Sequence, residues 1–203
     1  MASRRTPRQE RSVVTVEAIV TAADRILQAD GLPALTSNRI AEVAGVSVGT
    51  LYQYFADKHA ICRALIEHYV DRYHAAFCRL LEANRTQPVR TAVSALFTGL
   101  AHLARGPGHR VHEALFAEIP IAGALELRER NRRRYQDALA EHLRGRADVV
   151  VRDPAIAAEL LIVTGMAVAQ QLSSRPPSPA DAVLLSESVD MAVAYLRPSR
   201  GST

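Results

Sequence analysis

The side chains whose types and spacing best suit chemistry lie between residues 36 and 58. Ser47-Val48-Gly49-Thr50 is a run of small or hydroxylic residues, followed by the apolar Leu51 and Phe55. A helix entering the major groove of duplex DNA needs small or polar groups on its first turn and anchors to the protein one turn later. Tyr52, Gln53 and Tyr54 add groups able to reach phosphates or bases, and Lys58 adds a cation beside the backbone. Upstream, Arg4, Arg5, Arg8 and Arg11 against Glu10 make the first dozen residues strongly basic, which suits phosphate contact or minor-groove entry. A solvated basic tail has the same composition.

Other chemistries are poorly supported. No Ser, His and Asp occur at a spacing diagnostic of nucleophilic catalysis, so no enzyme is expected. His102, His109 and His112, with Glu113, invite a metal reading, but Gly106 to Gly108 loosens the turn and no Cys is near. They are expected as surface histidines, with no metal and no cofactor. Cys62 and Cys78 lie sixteen residues apart on one predicted helix, roughly 24 Å at helical rise, too far to pair within the chain. Cys62 falls among apolar positions, and Cys78 on the opposite side is open to redox chemistry.

The elements that must position the 36–58 set are all predicted helical. Val16, Ile19, Val20, Ala23, Ile26 and Leu27 repeat at three- and four-residue spacing, giving helix one over Val13 to Asp30, stopped by Gly31 and Pro33. Thr36 is a good N-cap for a short helix two, Ser37 to Ala44, burying Ile40, Ala41 and Val43; Gly45 permits a sharp turn and Ser47 caps helix three. Asp57 caps a long helix four, whose apolar stripe is Ile61, Leu65, Tyr69, Tyr73, Ala76 and Leu80. Pro88, Pro154 and Ser178 open helices five, eight and nine, and helix seven spans about Ala124 to Arg144. The expectation is an all-α chain of about nine helices. No apolar run reads as a membrane span and no signal peptide is legible, so a soluble cytoplasmic protein is expected.

The segment LTSNRIAEVAGVSVGTLYQYFADKHAI, Leu35 to Ile61, resembles the TetR/AcrR family nearly throughout. The shared positions are Thr36, Ile40, Ala41, Ala44 to Ser47, Gly49 to Tyr52, Tyr54, Phe55 and Lys58. The strong match runs over about Val13 to Tyr73. The resemblance implies a three-helix DNA-binding head with a helix-turn-helix, and a C-terminal helical domain for ligand binding and dimerisation. It implies that Ser37 and Arg39 contact phosphates or a groove edge, that Ser47, Val48, Gly49 and Thr50 face the bases, and that Tyr52, Tyr54 and Lys58 hold the backbone. His59 departs from a family position that is often Glu, which would weaken helix-four capping.

The expected organisation is a basic arm over 1–12, a head over 13–73 and an effector-binding, dimerising region over 74–203. The function expected is a ligand-responsive regulator, a repressor released from a palindromic duplex operator by a small, mostly apolar effector. The alternative is a helical carrier or enzyme in which the head is only a packing module. Candidate effector contacts, chosen by composition and position, are Tyr69, Tyr73, Phe77, Phe97, His102, Phe116, Met166 and Gln170. Helix eight, Ala155 to Ser173, carries one charge, Glu159, and is apolar nearly all round. That pattern suits either burial within the subunit or a homodimer through helices eight and nine, with Gly165, Ala167 and Ala169 allowing close approach. On helix seven, Arg128 and Arg132 fall on the stripe of Leu125, Tyr135, Leu139 and Leu143, and so need acceptors. Glu118 or Glu113 could supply them, or an acidic effector.

Overall fold

The computed structural model describes residues 7–106, 114–117 and 121–197. Among the described residues every regular element is helical: α1 (Pro7–Asp30), a 3-10 turn (Leu32–Ala34), α2 (Ser37–Ala44), α3 (Val48–Tyr54), α4 (Lys58–Ala83), α5 (Val89–Arg105), α6 (114–117), α7 (Ile121–Arg144), α8 (Pro154–Ser173) and α9 (Ala180–Leu196). Helix α1 begins six residues before Val13, because Pro7 suits a first helical turn and Gln9 and Glu10 are good helix formers. Residues 7–12 of the expected arm are therefore helical; residues 1–6 lie outside the described residues.

The described residues form two compact units. The first holds those up to Val70 and those between 114 and 124; the second holds those from Asp71 to Gly106 and from Leu125 onward. In the first, Ile19, Ala23 and Ile26 of α1, Ile40 of α2, Leu51 of α3 and Leu65 of α4 are at most 3% exposed. Each such large aliphatic side chain contributes about 1.5–3 kcal/mol on burial. Val43, expected inside, is 39% exposed at the edge of the α2 contact face. The Tyr69 hydroxyl donates to the Asp24 carboxylate on α1.

In the second unit α5 packs against α8 and α9, with Val93, Leu96, Phe97, Leu161, Ile162 and Leu196 in one core. Gly165 belongs to that core: a Cβ there would lie 2.7 Å from Leu100 Cδ1 and 3.3 Å from Phe97 Cε1. Gly165 and Ala169 are buried within the subunit, so they do not serve a dimer contact as expected from sequence; Ala167 is exposed. On α4 the buried positions of this unit are Phe77 and Leu81, one residue beyond the expected Ala76 and Leu80. The inward line keeps the four-residue step through Ile61, Leu65, Tyr69, Tyr73, Phe77 and Leu81, whereas the expected stripe steps by three from Tyr73 to Ala76 and so falls to one side of it.

Two polar networks join elements distant in sequence. Arg146, its side chain 4% exposed, donates to both oxygens of Asp148 at 2.9 Å and to the carbonyls of Asn84, Arg85 and Gln87 after α4. Asp148 in turn accepts the N–H of Val89 at 2.8 Å and so caps α5. Asp181 near the start of α9 pairs with Arg105 and, at 2.7 Å, with Arg175. It also accepts the Ser178 N–H at 3.2 Å, so the local cap runs from Asp181 back to Ser178 and not from the Ser178 hydroxyl forward. The guanidinium of Arg146 holds the Asp148 carboxyl below the usual carboxylate range, and Arg105 does the same for Asp181.

Candidate nucleic-acid interface

The head's polar set is positioned by three side-chain caps and one glycine. Thr36 Oγ1 accepts the Arg39 N–H at 3.3 Å, starting α2. Gly45 ends α2 at φ 69°, ψ 30°, a left-handed conformation that side chains with a Cβ rarely adopt. Ser47 Oγ accepts the Thr50 N–H at 2.9 Å, starting α3. Asp57 Oδ1 accepts the Ala60 N–H at 2.8 Å, so the first turn of α4 is capped despite His59.

Leu51, fully buried, and Phe55 fix α3 to the unit's core and turn the opposite side outward. Gly49, Tyr52, Gln53 and Tyr54 are exposed, Ser47 is exposed at the cap, and Val48, Thr50 and Lys58 are half-buried. Several polar groups are engaged inside the head. Tyr52 donates to Ser37 Oγ at 3.2 Å, tying α3 to the first turn of α2. Ser47 and Thr50 hydroxyls lie 2.8 Å apart, and Arg39 pairs with Glu42 at 3.3 Å. The Tyr52–Ser37 bond spans fifteen residues and has no signature in local spacing.

The ten residues expected at an effector site are not gathered around one cavity. Tyr69 and Phe116 are buried in the first unit; Phe77 and Phe97 are buried in the core of the second. Tyr73 is half-buried, and His102, Met166 and Gln170 are exposed. None of the ten lines either of two hollows of the second unit. One is a narrow apolar cavity of about 20 Å³ among Leu80, Val93, Leu96, Leu139, Leu161 and Leu196, room for about one water. The other is a cleft of about 240 Å³ between α4 and α7, edged by Cys78, Glu82, Arg85, Glu141 and His142. Cys62 is fully buried, as its place among apolar positions suggested.

Arg128 and Arg132 do not lie on a buried stripe. The inward line of α7 is Leu127, Asn131, Leu139, Ala140 and Leu143, whereas Leu125 is 63% exposed. Arg132 pairs with Glu129 at 2.6 Å and with Glu159 of α8 at 3.2 Å. Glu129 lies three residues before Arg132 and four before Arg133, to which it also pairs at 2.7 Å, a spacing that was legible in the sequence. Glu113 and Glu118, the acceptors proposed from sequence, lie outside the described residues, as do His109 and His112.

Two short helices turned by a left-handed glycine, the second anchored by its inner face and bare on its outer one, define a helix-turn-helix protein. Residues 19–65 match the family described as bacterial regulatory proteins, tetR family, and residues 88–196 match the tetracyclin repressor-like C-terminal domain. The chain is 30% identical over 80 residues to an HTH-type transcriptional regulator of Staphylococcus aureus (strain MRSA252); the match covers 39% of this chain and 42% of that protein. Its fold is similar to that of a transcriptional regulator from Rhodococcus sp. Rha1, with TM-score 0.59, 22% identity, and 89% and 95% of the two chains covered. It is likewise similar to a transcriptional regulator of the TetR/AcrR family from Thermobifida fusca, with TM-score 0.62, 17% identity, and 90% and 98% covered. The chain belongs to the TetR family of bacterial regulatory proteins.

Proposed function

We propose that this chain is a cytoplasmic, homodimeric, ligand-responsive repressor that binds a palindromic duplex operator. The observation that carries the reading is the exposed outer side of α3 above a fully buried Leu51, flanked by groups suited to phosphate and base contact. Ser37, Arg39, Tyr52, Tyr54 and Lys58 serve the backbone; Ser47, Gly49, Thr50 and Gln53 face the groove, with Val48 at its protein-side edge. The basic stretch over 1–12 supplements the phosphate contacts. The head extends over 13–73, and the remainder to 203 binds effector and dimerises.

The dimer forms through α8 and α9. Ile156, Leu160, Val163 and Met166 on α8 and Val183 and Met191 on α9 are each 47–61% exposed, an apolar surface that water does not favour on a monomer. Helix α8 has mean hydropathy 1.6 over a membrane-length window, of which 39% is buried; a partner copy accounts for that apolarity without a membrane. The effector is small and mostly apolar. It acts by binding one arrangement of the two heads more tightly than the operator-bound one.

The test is binding to duplex DNA from the chain's own upstream region over a salt series. A specific complex that weakens steeply with salt is expected, since each neutralised phosphate releases a counterion. Absence of any specific complex at low salt without ligand would overturn the reading.

A further inference from the structure

We infer that Gln53 is the residue through which the head reads sequence, and that the base it reads is the adenine of an A·T pair. The assignment rests on the DNA-binding reading above and adds to it the chemistry of the site that is read.

With Leu51 pointing into the core, positions on α3 follow at about 100° per residue. Gly49 and Gln53 then fall at roughly 160° and 200° from the Leu51 direction, along the outermost line of the helix. Tyr52 and Thr50 flank that line, and Val48 lies toward the protein. The flanking hydroxyls each already make a bond within the head: Ser47 Oγ caps α3, Thr50 Oγ1 lies 2.8 Å from it, and Tyr52 donates to Ser37. Arg39, the one arginine on α2 and α3, is paired with Glu42. The exposed side chain on the outermost line is the carboxamide of Gln53.

The φ of Gly49 is not in the left-handed region, and a Cβ there would meet only Ser47 Oγ, at an ordinary 3.7 Å. Neither backbone conformation nor packing within the chain calls for glycine, and glycine in an exposed helix weakens it. The bare backbone lies one turn before Gln53 on the same line. A surface outside the chain approaches closely there, bringing a side chain of modest reach to the groove floor.

A carboxamide offers one donor and one acceptor side by side. In the major groove that pair matches the N6 amine and N7 of adenine, whereas guanine shows two acceptors and suits arginine.

The experiment is selection of bound sequences from a randomised duplex pool by the full-length protein, repeated with Gln53→Ala and Gln53→Glu. The wild type is expected to enrich an A·T pair at one symmetry-related position of each half-site. Gln53→Ala should lose discrimination at that position alone, by roughly 5- to 150-fold. Gln53→Glu should shift the preference there toward cytosine, whose N4 amine donates to a carboxylate. Uniform weakening across all sequences would make Gln53 a phosphate contact and overturn the assignment. So would an enriched site whose preferences ignore residue 53. A pool that is not enriched at all by the wild type would overturn the DNA-regulator reading itself.

Discussion

Replacing Arg146 with Met should cost the second unit several kcal/mol. The side chain is 4% exposed and the guanidinium makes five contacts: two to Asp148 at 2.9 Å and three to the carbonyls of Asn84, Arg85 and Gln87 at 3.1, 3.2 and 2.5 Å. Methionine fills most of the volume but donates nothing. The three carbonyls lose a partner, and Asp148 is left as a half-buried charge that caps α5 alone. Breaking a buried ion pair from one side costs about 3–5 kcal/mol. For a chain of this length each kcal/mol shifts the melting temperature by about 2–4 °C, so a fall of roughly 6–20 °C is expected. Arg146→Lys keeps the charge but not the fork, and should lose a large part of that. Thermal melts followed by circular dichroism measure both, and Asp148→Asn with the double variant gives the coupling. A fall of less than about 3 °C for Arg146→Met, or full additivity with Asp148→Asn, would show that water satisfies these groups and refute the reasoning.

Gly49→Ala should raise helix stability by about 0.5–1 kcal/mol while weakening binding to the upstream duplex, two opposite shifts readable by melting and by gel retardation. Leu160→Lys with Met166→Lys should convert the dimer to monomer in sedimentation equilibrium, since both side chains sit on the exposed apolar face of α8. Asp148 and Asp181 have folded-state pKa values lowered below the ordinary carboxylate range, first by Arg146 and first by Arg105 respectively. Their stabilisation is present above that range and is lost as pH falls through it toward the folded values. Acid titration of Asp181→Asn should show a shallower loss of stability on that limb than the wild type.

Sequence alone carried the helices of the head, their caps and its turn. Thr36, Gly45, Ser47 and Asp57 act on N–H and C=O groups within about four residues of themselves, so their spacing already contains the caps and the turn. The apolar periodicity of α1 and the charged pairs around Glu129 are local in the same sense. What lies across the fold was not legible. Gly165 reads as a surface contact for a twofold mate, until α5 brings Leu100 and Phe97 against it. Arg132 reads as a charge on an apolar stripe, until the packing of α7 turns Leu127 inward and Leu125 outward and sets Glu159 beside it. Arg146 has a local partner in Asp148, but nothing near it in sequence points to the three carbonyls it holds, which stand about sixty residues away. The effector candidates were chosen by composition, and packing divides them between two cores and the surface. Even in the head, the residue types between 47 and 54 suited contact with DNA, but which of them face outward was decided by the burial of Leu51 against its neighbours. A helix's hydrogen bonds are set by nearby spacing; its orientation is set by whatever it must exclude from water.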